Sequence, residues 1–258
     1  MNGWNSMPEP GPMRGRGCGP LSPMPRVSMR LDLPAPLTVA VASGLAMLPF
    51  VAYPAIDEAV AGLFFDGKGW MGGPASEMLR FALWRFSALV LFVALVLWLV
   101  ALFRKRPACN GSARAWGLIV LTYALGPGLM ADTLLKRFWG RARPADVADF
   151  GGASHFTPPW LPTDQCLSNC SFVSGEVSGA TATAIALIVI LGLWRDRLSP
   201  LAYRAIAAFA LALPLVSALQ RMSSGRHFLS DAIFAALFTL LIASLLRVVL
   251  FGRKNPVT

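Results

Sequence analysis

Charge is what this 258-residue chain has least of. Only 14% of its residues are Asp, Glu, Lys or Arg, against about a quarter in a typical soluble domain. That shortage argues against a soluble globular enzyme. With 55% of residues hydrophobic, a chain disordered throughout is excluded as well. Four cysteines do not make a small disulfide scaffold. Acidic residues are the scarcer sign, 13 against 23 basic ones, which leaves a formal net charge of +10. In a soluble protein that excess would suggest a nucleic-acid partner. In a membrane protein basic residues set topology, meet anionic headgroups and bind phosphate, so no nucleic acid is expected here.

Short segments of alternating polarity, the mark of a membrane barrel, are also missing. In their place stand six apolar stretches, at 37–56, 86–103, 115–135, 177–194, 201–219 and 228–250. Each is near the roughly 20 residues a helix needs to cross hydrocarbon. The chain therefore reads as all-α, an integral membrane bundle of six transmembrane helices occupying 35–252. Residues 1–34, rich in Gly, Pro and Met, read as a flexible cytoplasmic tail, and 253–258 as a short C-terminal one. Pro127 is expected to kink the third span and Pro214 the fifth.

Basic residues orient the bundle. Arg14, Arg16, Arg26 and Arg30 precede the first span. Arg104, Lys105, Arg106 and Arg114 join the second to the third, and Arg195, Arg197 and Arg204 join the fourth to the fifth. Arg247, Arg253 and Lys254 end the chain. All four groups share one side, which should be cytoplasmic, with both termini. For a bacterial source, the membrane would be the inner one and the opposite face periplasmic. Cys18 and Cys109 fall on the cytoplasmic side as free thiols. Cys166 and Cys170 share an outer loop, where C-x3-C spacing fits a disulfide, with free thiols or metal ligation as the alternatives.

On the outer side, the first loop sets Asp57, Glu58, Asp66 and Glu77 against Lys68 and Arg80; the remaining positive charge gathers in only two places, and anion binding is the natural reason. Lys136-Arg-Phe-Trp-Gly-Arg-Ala-Arg143-Pro144 reads K-x6-R-P and follows the third span. Ser171-Phe-Val-Ser174-Gly175-Glu176 precedes the fourth. Arg221-Met-Ser-Ser-Gly-Arg-His227-Phe-Leu-Ser-Asp231 reads R-x5-H-x3-D and bridges the fifth and sixth.

This combination resembles the type 2 phosphatidic acid phosphatase family, whose signature is K-x6-R-P, then P-S-G-H, then S-R-x5-H-x3-D. The first part matches in type and spacing. The third departs only at Gln220, where the pattern has Ser. The second matches at Ser174 and Gly175, with Val173 for Pro and Glu176 for His. An S-G-E second motif is similar to that of some bacterial lipid A phosphatases, particularly those acting on the 4′-phosphate.

The chemistry is consistent with the resemblance. Phosphoryl transfer spreads negative charge over three oxygens, and catalysis is mainly positioning and electrostatics. Lys136, Arg143 and Arg221 supply positive charge. Ser174 and Gly175 offer backbone N–H groups, and Ser174 a hydroxyl, at a helix start. His227 and Asp231 lie four residues apart, so on a helix the carboxylate can reach the ring and fix its tautomer. The resemblance implies that His227 attacks phosphorus to give a phosphohistidine, which water then hydrolyses, with Asp231 as the orienting group. The cations neutralise phosphate in this scheme, so neither metal nor other cofactor is called for.

Glu176 stands where the family has its proton donor. Burial favours a protonated carboxyl, while three neighbouring cations oppose it. Glu176 as the acid, a leaving group that needs less protonation, and a disabled site all stay open. The expected activity is that of a phosphoric monoester hydrolase acting on a phosphorylated membrane lipid. A lipid phosphotransferase and a non-catalytic phospholipid binder or transporter are the alternatives. Arg137, Arg141 and Arg226 fall outside the motifs and read as headgroup contacts, Trp139 and Trp160 as interface anchors, and His155 as an ordinary loop residue. Asp132, one turn before Lys136, is expected to pair with it.

Overall fold

The computed structural model describes residues 33–252. The expected tails lie outside the described residues except for Leu33 and Pro34, as do Arg14, Arg16, Cys18, Arg26, Arg30, Arg253 and Lys254. Isolated bridges are the only β pairing among the described residues. The framework is α1 (Pro36–Ala52), α2 (Ile56–Gly62), α3 (Pro74–Arg104), α4 (Ala113–Phe138), α5 (Gly175–Leu193), α6 (Pro200–Ser223) and α7 (Leu229–Phe251). In hydrocarbon every backbone polar group must be paired within its own segment, and a helix does that. Start signals are local. Proline opens α1, α3 and α6, where its missing N–H costs nothing. Ser112, Ser174 and Ser199 cap α4, α5 and α6 by accepting from the N–H of Ala115, Val177 and Ala202.

The all-α membrane bundle is borne out, with three changes of detail. The first expected span is broken. α1 stops at Ala52, and α2 departs at 81°, because Pro54 holds Tyr53 out of the helical region. The second begins at Pro74, twelve residues before the expected 86, and runs for 31 residues. At 1.5 Å per residue that is about 46 Å, longer than the roughly 30 Å of hydrocarbon. Its charged first turns, with Glu77 and Arg80, precede the apolar stretch. The third is not simply kinked at Pro127; Ala124–Leu135 winds as a looser π-helix before a last α-turn. Pro214 sits inside a continuous α6.

α5 is the most buried long helix and α3 the least. Ala180, Ala182, Ala184 and Ala186 are buried and small, which lets neighbouring helices approach α5 closely. Hydroxyls then join helices across the apolar interior. Ser178 pairs with Thr239 at 2.7 Å, and Thr183 takes the Tyr123 hydroxyl at 2.8 Å and Ser87 at 2.7 Å. Successive long helices alternate in direction. The C-terminal ends of α4 and α6 and the N-terminal ends of α5 and α7 therefore meet at one face of the bundle. The connections carrying Lys105, Arg106, Arg195 and Arg197 lie at the other.

Candidate active site

All three motifs converge on that first face. α4 delivers Lys136, whose ammonium pairs with Asp132 at 2.8 Å as expected. The same ammonium lies against the first turn of α5, since a Cβ built on Gly175 would stand 2.7 Å from Lys136 Nζ. Arg143 donates to the Asn169 carbonyl at 2.6 Å. Burial, then the nearby Arg226 guanidinium, lower its pKa from the usual arginine value. α6 ends in Arg221, a buried side chain whose Nε has no hydrogen-bond partner among the described residues. Gln220, the departure from the third motif, accepts from Arg221 at 3.4 Å and donates to Ser76 and Ser224 at 3.1 and 3.2 Å, which ties α6 to α3.

His227 is positioned by a tight turn. Gly225 adopts a positive φ of 64°, and the Trp70 indole packs where a side chain would stand, so only glycine fits. The His227 ring is 1% exposed. Its Nδ1 lies 2.8 Å from the Ser171 carbonyl oxygen. A carbonyl can only accept, so Nδ1 carries the proton and Nε2 presents its lone pair. Asp231 is not the direct partner expected. Its Oδ2 is 3.8 Å from Nδ1. It accepts instead from the Ser171 hydroxyl, the Phe228 N–H and Arg141. Asp231 therefore acts through Ser171: the carboxylate holds the residue whose carbonyl holds the ring.

Ser174 also differs from expectation. Its N–H is taken by the Asp231 carbonyl at 3.2 Å, and its hydroxyl oxygen caps α5. The first turn of α5 keeps the N–H groups of Gly175 and Glu176, which have no intrahelical acceptor. The Glu176 carboxylate is hemmed in. Oε1 accepts from Arg80 Nε at 3.3 Å and lies 3.7 Å from Arg221 Nε, while Oε2 lies 3.7 Å from His227 Nε2.

Arg141 corrects the headgroup reading. It is fully buried, and it donates to Asp57 at 2.8 Å, to Asp231 at 2.6 Å, to Ser230 and to the Thr157 carbonyl. Its guanidinium also lies over the Phe228 ring at 4.4 Å. Arg137 and Arg226 are exposed, consistent with the interface. Trp139 is not a simple anchor; it stacks on Phe172 at 4.9 Å and donates to the Pro159 carbonyl. His155 is an exposed loop residue. Cys166 and Cys170 form a disulfide, and Cys109 is free and exposed.

Sequence reasoning missed Asp57, Glu77 and Arg80 as site residues. All three stand in the loop expected between the first two spans, yet α2 and the lengthened α3 carry them inward. Beside Glu176 opens a cavity of about 430 Å³. It is lined by the charged Arg80, Asp132, Lys136 and Glu176 together with apolar side chains such as Leu83, Ala88 and Leu91. Among the described residues, no group of three His, Cys, Asp or Glu is placed to share a metal ion.

A family model described as the PAP2 superfamily matches residues 115–255. The chain is 34% identical over 210 residues to a lipid A 4′-phosphatase of Rhizobium leguminosarum, covering 75% of this chain and 86% of that protein. It is 29% identical over 216 residues to a lipid A 4′-phosphatase of Francisella tularensis subsp. novicida, covering 80% and 91%. Among solved structures, the fold is similar to a transmembrane PAP2 type phosphatidylglycerolphosphate phosphatase from Bacillus subtilis. The TM-score is 0.52 and the identity 16%, over 82% of this chain and 94% of that one.

Proposed function

The chain belongs to the PAP2 superfamily and is a bacterial membrane lipid phosphatase, a phosphoric monoester hydrolase; from that premise we propose that it removes the 4′-phosphate of lipid A through a phosphohistidine on His227. The observation that carries the chemistry is the His227 tautomer. Nδ1–H is spent on the Ser171 carbonyl, so Nε2 is the free nucleophile. The substrate reading rests on the two lipid A 4′-phosphatases that match most of the chain.

In the first step Nε2 forms a bond to phosphorus, and the P–O bond to the sugar breaks with its electron pair leaving on oxygen. Lys136, Arg143 and Arg221 hold the phosphoryl oxygens, with the N–H groups at the start of α5. Arg221 Nε, unpartnered and buried, gains an acceptor when phosphate arrives. The cations around Glu176 favour its ionised form; a bound phosphoryl group offsets them, and the carboxyl then shares a proton with the phosphate beside it. Glu176 passes that proton to the leaving oxygen. In the second step it takes a proton from the attacking water, and His227 is released with inorganic phosphate as the product.

The catalytic unit is residues 35–252, with 1–34 and 253–258 as tails. Net basic connections at the opposite face support cytoplasmic termini and a periplasmic site in the inner membrane. The test is phosphate release from lipid A by detergent-purified protein, with His227→Ala as control. Release that depends on His227, with an acid-labile phosphoryl group trapped on the wild-type protein, is expected. Release that survives His227→Ala would overturn the mechanism. In a Cys18→Ser background, a membrane-impermeant maleimide should label Cys109 only after cells are broken; labelling of intact spheroplasts would reverse the orientation.

A further inference from the structure

The second motif has lost its histidine, and the residue in its place comes with an unexpected partner. α3 is a peripheral helix with a lipid-facing surface of Trp84, Leu89, Phe92 and Phe103. Yet Glu77 and Arg80 turn inward from its first turns. Arg80 Nε donates to Glu176 Oε1 at 3.3 Å, and Arg80 Nη1 to Glu77 Oε2 at 3.2 Å. The other Glu77 oxygen lies 4.0 Å from Arg221, which itself lies 3.7 Å from Glu176. The four side chains close a ring of alternating charge beside the cavity, which Arg80 and Glu176 both line.

Geometry explains the need for such a ring. A histidine is aimed by two side-chain torsions, whereas a glutamate has three and loses more freedom when fixed. A carboxyl in the proton-donor position therefore needs an anchor that histidine does not. With Oε1 held by Arg80, Oε2 is presented 3.7 Å from His227 Nε2, within reach of a phosphoryl group bonded to that nitrogen. We propose that Arg80, fixed by Glu77, is the positioning residue for Glu176, and that Arg80 and Glu176 together do the leaving-group work of the absent histidine. This inference rests on the phosphatase reading above.

The test compares two leaving groups. A sugar alkoxide needs a proton as it leaves; a nitrophenolate does not. Purified wild type, Arg80→Ala, Glu176→Gln and the double variant are assayed on lipid A and on p-nitrophenyl phosphate. Arg80→Ala should lower turnover of lipid A by about 10–100-fold, up to the lower end of the roughly 100–10,000-fold that a general acid contributes, because Glu176 is loosened and not removed. On p-nitrophenyl phosphate its loss should be only a few-fold. Adding Arg80→Ala to Glu176→Gln should cost nothing further on lipid A, since two residues acting as one unit are not additive. Arg80→Met, which keeps the apolar stem and no N–H donor, supplies the same readout if the alanine variant does not purify as a monodisperse protein.

Equal losses on both substrates, no loss on lipid A, or additive losses in the double variant would overturn the assignment. A wild type inert on both substrates would instead sink the phosphatase reading, and this inference with it.

Discussion

Arg141 and Asp231 form an ion pair 2.6 Å long in which both side chains are fully buried. The same guanidinium reaches Asp57 at 2.8 Å, so one cation serves two buried carboxylates from α2 and α7. Asp231 then fixes Ser171, and Ser171 fixes His227. The bent first helix pair is thereby coupled to the His227 ring through four residues, Asp57, Arg141, Asp231 and Ser171.

Removing Arg141 strands both carboxylates away from water. Breaking a buried pair costs about 3–5 kcal/mol, so Arg141→Ala should lower the thermal midpoint in detergent sharply. Arg141→Lys should recover little of it. One ammonium is a point charge and lacks the fork that engages Asp57 and Asp231 together. Wild-type stability in Arg141→Ala would show that the pair contributes nothing net.

The disulfide is expected to matter for activity as well as stability. Cys166 and Cys170 close the turn whose Asn169 carbonyl holds Arg143, and the Cys170 N–H donates to the Lys136 carbonyl. Closing so short a loop is worth about 2 kcal/mol by chain entropy. Reduction, or Cys166→Ser with Cys170→Ser, should lower the thermal midpoint and raise KM for the lipid several-fold, because Arg143 loses its seat. An unchanged KM would leave the bridge a stability feature alone.

Much of this was legible in the sequence, because membrane helices and phosphate motifs are local signals. Apolar runs gave the spans, and charge on the outer side gave Lys136, Arg143 and Arg221. What was not legible depends on distant contacts. Arg141 looks like its exposed neighbour Arg137, since nothing in the local pattern reveals that Asp57, 84 residues away, meets it. Arg80 was hidden because charged residues mark the end of an apolar run, and the helix continues through them. Asp231 has the right spacing to touch His227, but its oxygens are taken first by Ser171 and the start of α7.

Asp132 should act as a competitor rather than a catalyst. Its side chain is 53% exposed and pairs with Lys136 at i, i+4, an arrangement worth only about 0.3–0.5 kcal/mol. Asp132→Asn should barely change stability. It frees the Lys136 ammonium for phosphate, so KM should fall about 2-fold, the factor that such a pair energy represents. A rise in KM would mean that Asp132 instead holds Lys136 in its working position.

Gly175→Ala tests whether the first turn of α5 is the phosphate seat. The added methyl would stand 2.7 Å from Lys136 Nζ and also meet the Asp132 carboxylate. Both are ends of flexible side chains, so they can swing aside, and alanine is a better helix former than glycine. Stability should therefore hold or rise slightly. The displaced ammonium, however, no longer lies against the open N–H groups of the turn. A shift of about 1 Å in a positioning group can cost on the order of 100-fold, so kcat/KM on lipid A should fall by about that factor while the folded protein is intact. Full activity in Gly175→Ala would place the phosphoryl group elsewhere, away from Lys136 and the start of α5. A loss of folding would show that the cost lies in packing rather than in the seat.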